Sequence, residues 1–167
     1  MRRLLVLAAA LGVALAAATS AAANSPEVQV SRFDSNYLSS WPCGFPIAVN
    51  GWVEVTTTTF FDADGAPVRS AARNRAAFTW AGPTGLVVSH DQSWNSTVDL
   101  LAGTQTITGA LSRVVGPGVG VLQNDVGLLV LQIGGPGVPP VTLFDRGGQE
   151  SILEPGAWDP VCAYLAG

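Results

Sequence analysis

The chain has 167 residues with eight Arg, no Lys, twelve Asp or Glu and a single His, a net charge of −4 at neutral pH. That acidic balance, with no basic run, excludes a general nucleic-acid binder, which needs a positive face. An apolar content of 48% excludes a disordered chain, and the length fits one domain with one core.

Residues 1–23 read as a signal peptide. Arg2 and Arg3 supply the positive start, Leu4 to Ala17 is an apolar run broken only by Gly12, and Ala21-Ala22-Ala23 offers small residues for cleavage before Asn24. The apolar run falls short of the roughly 20 residues a bilayer-spanning helix needs. No later stretch reaches that length, so no membrane insertion is expected. Residues 24–167 are expected to form a single secreted, extracellular β domain with six Arg against twelve acids.

Export gives meaning to Cys43 and Cys162. Two cysteines in an oxidising compartment predict a disulfide, here closing a loop that spans most of the exported chain. On the chain-entropy model such a long loop contributes about 4–5 kcal/mol. A zinc site or a catalytic thiol would need further ligands or a nearby His, and neither Cys has them.

The clearest local signal is a hairpin. From Ile47 to Phe61 the odd positions Ile47, Val49, Val53, Val55, Thr57 and Phe61 form a mainly apolar face, whereas the even ones include Asn50, Trp52, Glu54, Thr56 and Thr58. Asp62-Ala63-Asp64-Gly65 is a turn, and from Ala66 the even positions Val68, Ala72, Ala76, Phe78 and Trp80 continue the apolar face. Setting Phe61 opposite Ala66 pairs Glu54 with Arg73 and Trp52 with Arg75 on the outer face. The same Asp-rich turn opens like a calcium loop but lacks the acid that should follow, so the turn reading prevails.

A second turn, Ala81 to Gly85, leads into a strand over 86–94. Setting Trp80 opposite Leu86 brings His90 against Ala76 and Gln92 against Asn74. Further strands are expected over 97–101, 104–115, 119–123, 126–133, 141–144 and 149–153, with loops at Gly116–Gly120 and Gly134–Pro140. Near the end Asp159 is placed to cap a short helix that has Pro160 in its first turn and contains Cys162. The expected fold is all-β: an antiparallel β-barrel or sandwich of about eight strands with a short C-terminal helix.

Few chemistries suit these residues. His90 is the one histidine, and its neighbours Ser89 and Asp91 point to the opposite face of a strand, so no triad forms around it. No Gly-x-Ser-x-Gly elbow or phosphate loop occurs, no metal site or cofactor is implied, and no catalytic residue is assigned. One constellation stands out. Asn74, His90 and Gln92 share the inner face, where unpaired polar groups cost about 1–3 kcal/mol each. They are the candidate ligand-binding residues, lining a pocket inside the barrel for a small molecule.

The sequence Cys43-Gly44-Phe45-Pro46, the Thr-rich strand that follows, the Phe61-to-Gly65 turn and Cys162-Ala163 together resemble a group of small secreted β-rich proteins of high-GC Gram-positive bacteria without an assigned activity. The resemblance implies export, the disulfide and a barrel-like β fold. It transfers no functional residues.

A non-enzymatic binding module with a small molecule in the barrel interior is therefore the expected function. One alternative is a structural or protein-interaction domain whose outer face (Trp52, Arg69, Arg73, Arg75) meets a protein partner. Another is a carboxylate-dependent hydrolase, which requires two acids about 5–10 Å apart in one cleft.

Overall fold

Alternation of apolar and polar residues, interrupted by Gly-bearing turns, produces seven strands: β1 (Glu27–Ser39), β2 (Ile47–Phe61), β3 (Pro67–Ala81), β4 (Val87–Asp99), β5 (Thr104–Gly116), β6 (Gly120–Gln132) and β7 (Val141–Arg146). One helix follows, α1 (Asp159–Ala166). The computed structural model describes residues 25–134, 138–147 and 154–167. The expected signal peptide (1–23) and the strand expected over 149–153 lie outside the described residues.

The strands form one antiparallel sheet in sequence order, β1 to β7. Among the described residues β1 and β7 do not pair and the sheet stays open, with seven strands rather than the expected eight or so and without the closure of a barrel or a second sandwich layer. Strand length accounts for this. β1 has 13 residues, whereas β7 has six and carries a register irregularity against β6, so the two outer strands are poorly matched for closure. Expected breaks after 94 and 123 do not occur either. β4 runs through Asn95-Ser96, and β6 runs through Asn124-Asp125.

Both leading hairpins close by the same device. Asp62 N–H donates to Ala66 O at 2.9 Å and Gly65 N–H to Asp62 O at 3.2 Å, and Gly82, Leu86 and Gly85 repeat the pattern at 2.9 and 3.1 Å. Gly65 and Gly85 take φ of 85° and 82°, a left-handed conformation that glycine adopts without a Cβ clash. Asp62 Oδ1 accepts the N–H groups of Asp64 and Ala66 at 3.0 and 2.8 Å, which explains the Asp-rich turn without a metal.

The two turns shift both expected registers by two residues without exchanging faces. Glu54 lies opposite Arg75 rather than Arg73, and Trp52 opposite Ala77. His90 lies opposite Phe78 rather than Ala76, Gln92 opposite Ala76, and Asn74 opposite Trp94. The outer-face partner of Trp52 comes instead from β1. Arg32 stacks over the indole at 4.5 Å and reaches Glu54 at 3.5 Å.

Helix α1 packs on one face of the sheet, hereafter the helix face, against β4, β5 and β6. Val161 and Leu165 are fully buried there with Ile47, Val49, Trp80, Val88 and Val114. Burying such apolar side chains stabilises the fold by about 1.5–3 kcal/mol each. Trp158 takes the N-cap position without a side-chain cap, and Asp159 is the first helical residue rather than the cap. Asp159 still complements the positive N-terminal end of the helix. The Cys43–Cys162 disulfide forms, with Cα atoms 5.2 Å apart, and straps the helix to the β1–β2 connection.

Candidate functional site

Residues at even positions of β3 and β4 point to the helix face, and this places His90 beside Phe78 and Trp80. The imidazole is enclosed by aromatic rings. It lies edge-on to Trp80 at 4.6 Å, edge-on to Trp158 at 5.8 Å and tilted against Phe78 at 5.8 Å. Trp158 in turn stacks on Trp80 at 5.5 Å and meets Trp41 edge-on at 5.2 Å. Such ring pairs add about 0.5–1.5 kcal/mol each beyond their burial.

The disulfide assembles this nest. Trp41 precedes Cys43 by two residues, and Trp158 precedes Cys162 by one helical turn. Joining the sulfurs therefore brings the two indoles together over the sheet.

Burial pushes the His90 imidazole down to about 4, so the ring is neutral at neutral pH. Ser112 Oγ lies 3.0 Å from Nε2, and the Gln92 amide nitrogen lies 3.4 Å from the same atom. An amide nitrogen only donates, so with the Gln92 amide in this orientation Nε2 is the acceptor and Nδ1 carries the proton. That Nδ1–H is buried without a hydrogen-bond partner, and so is the Trp80 indole N–H. Edge-to-face packing gives such a donor a π face, a weaker substitute for an oxygen acceptor.

Beside these rings is a cavity of about 190 Å³, lined by Tyr37, Trp41, Val49, Phe78, Trp80, His90 and Gln92. The structure thus brings together two of the three candidate residues, His90 and Gln92. Asn74 shares their face and its amide nitrogen is buried without a partner, but it sits four residues along β3 from Phe78 and does not line the cavity. Of the other wall residues, the sequence points to Trp41 alone, as one of three Trp (with Trp94 and Trp158) able to line a sugar groove. Pairing the cysteines is what sets Trp41 beside Trp158.

The polar character extends across the sheet. Ser112, Gln123 and Asp125 are buried on the helix face, and neither amide atom of Gln123 has a hydrogen-bond partner. Farther along, a second cavity of about 340 Å³ opens between β5, β6 and β7, walled by Ile107, Leu111, Leu129, Leu131 and Pro140. Two carboxylates, Asp125 and Asp145, also line it. They flank Gly147, whose missing Cβ would stand 3.8 Å from one Oδ1 and 4.0 Å from the other. Two acids lining one cavity are part of what the hydrolase alternative asks for, but the described walls are otherwise mostly aliphatic and offer little to hold a sugar. Among the described residues no group of three or more potential metal ligands forms.

The outer-face alternative changes as well. Arg32 covers Trp52, and Arg69 stacks over Phe60 at 4.1 Å, so these cations are engaged within the sheet. No helix among the described residues is long and apolar enough to cross a membrane. Comparison with family models, curated proteins and solved structures finds no match to this chain.

Proposed function

We propose that the protein is an extracellular module that binds a small neutral molecule on the helix face, in the cavity beside His90. The observation that carries this reading is the pair of buried N–H donors, His90 Nδ1 and Trp80 Nε1, left without acceptors among the aromatic walls of a cavity. A ligand suited to it presents a planar apolar body to Tyr37, Trp41 and Phe78 and one oxygen acceptor to the donors. A neutral imidazole favours an uncharged guest. Small size is set by the cavity, which lies below the usual range of about 300–1,000 Å³ for drug-sized ligands.

A second site for the same function is favoured by the larger cavity. Aliphatic walls ending in Asp145 suit an apolar guest with an amine group.

Titration of ¹⁵N-labelled protein with two probes, benzamide and benzylamine, distinguishes the readings. Benzamide is expected to shift the Trp80 indole N–H signal, and benzylamine the amides of Leu129 and Leu131. Indole signals unmoved by millimolar benzamide would overturn the His90 reading.

A further inference from the structure

The two outer edges of the sheet are built in opposite ways. An edge strand presents unpaired N–H and C=O groups, and proteins usually blunt it with shortness, Pro, Lys or a bulge. β7 has such protection: six residues, a register irregularity, and Pro139-Pro140 immediately before it. β1 has none. It pairs with β2 through 13 consecutive residues without irregularity and contains neither Pro nor Lys. No described strand lies along its outer side, and Val28, Val30, Phe33, Tyr37 and Leu38 are 53–75% exposed.

The order of residues along β1 is complementary to itself. A twofold axis through Phe33, perpendicular to the sheet, sets β1 antiparallel to its own copy. All 13 residues then find partners, from Glu27 opposite Ser39 to Phe33 opposite Phe33. Val28 meets Leu38, Gln29 meets Tyr37, and Arg32 meets Asp34 twice, once on each side of the axis. Opposite charges and apolar pairs facing one another across strands are the favourable case.

Register is selected as sharply as partner. Because directly opposed residues share a face, the neighbouring twofold registers lie one residue to either side. One of them puts Arg32 on Arg32 and the other puts Asp34 on Asp34. Of these three, only the register centred on Phe33 avoids like charges, and among all twofold registers it alone uses the whole strand. Arg32 already lies 3.5 Å from Glu54 of its own chain, so it would stand between Glu54 and the copy's acid. From this we propose that β1 is a homodimer interface, joining two seven-stranded sheets edge to edge into one. The expected ladder of about 12–14 backbone hydrogen bonds lies within the usual range for a stable interface.

Sedimentation velocity of the purified, disulfide-bonded protein at micromolar concentration tests the proposal. The unsubstituted protein should sediment as a dimer. R32D and D34R should each weaken dimerisation by about tenfold or more, since each creates two like-charge pairs across the axis. R32D/D34R restores opposite charges and should recover the dimer, although Glu54 still faces the reversed charge at position 32. Near-UV circular dichroism of each variant separates a dissociated fold from an unfolded one. A monomer for the unsubstituted protein, as expected if another segment of the chain covers β1, overturns the proposal. So does a dimer indifferent to all three variants, or a folded double variant that stays monomeric.

Discussion

His90 Nε2 lies 3.0 Å from Ser112 Oγ across the β4–β5 pair, so the one histidine of the chain is anchored by a hydroxyl and enclosed by indoles. Its charge state is therefore tied to the integrity of the helix face. An imidazole that stays neutral down to about pH 4 when folded, but takes a proton near 6.5 when unfolded, makes folding depend on pH.

The sign follows from which state binds the proton first. As pH falls below about 6.5 the unfolded chain is protonated and the folded one is not, so this group costs stability progressively until about pH 4. The loss at the acid end amounts to about 3 kcal/mol. Guanidinium denaturation at pH 7, 5.5 and 4.5 should show this decline, and H90Q should lack its share of it. Equal pH slopes in the two proteins would place His90 in contact with water.

Trp158 is the lid over that imidazole. W158A removes a buried indole that touches Trp41, Trp80 and His90, and should cost about 3–5 kcal/mol. It should also readmit water, so the His90 midpoint, followed by NMR, moves from about 4 back toward 6.5. Lost stability with an unchanged midpoint would show that other groups desolvate the ring.

Removing the covalent strap has a local and a global effect. C43S/C162S should lower the unfolding free energy by about 4 kcal/mol, measured by denaturant titration. Because Cys162 lies in α1, limited proteolysis should cut first at the C-terminal segment in the double variant.

Gly82 is required by the closeness of its neighbour. A Cβ there would stand 2.2 Å from Leu165 O and 2.9 Å from Leu165 Cβ, where the β3–β4 turn meets the last turn of α1. G82A should push the helix away, break the Thr84 Oγ1–H···O bond to Leu165 and cost about 1–3 kcal/mol by thermal denaturation.

Side-chain alternation made the faces of β2, β3 and β4 legible, and His90 and Gln92 do share the helix face with Trp80. Strand offset was less legible. It depends on how many residues a turn consumes, and the left-handed Gly65 and Gly85 belong to the turn rather than to the ladder. Since both offsets moved by two residues, every face was preserved while every partner changed. β1 left no clear pattern because nearly all of its residues are exposed, so nothing imposes alternation on it. The aromatic nest was hidden for a different reason. Its members lie far apart in sequence, in β3, β4, the segment before α1 and the β1–β2 connection, and the disulfide and the packing of α1 bring them together.

The position of the strap also governs how the chain would respond to tension. β2 to β7 all lie between Cys43 and Cys162, whereas β1 lies outside that span. A pull applied at the two ends of the folded domain would pass from β1 through sulfur into α1 and bypass the six enclosed strands. β1 alone would unzip, and the rest of the sheet would ride unloaded behind a covalent shunt.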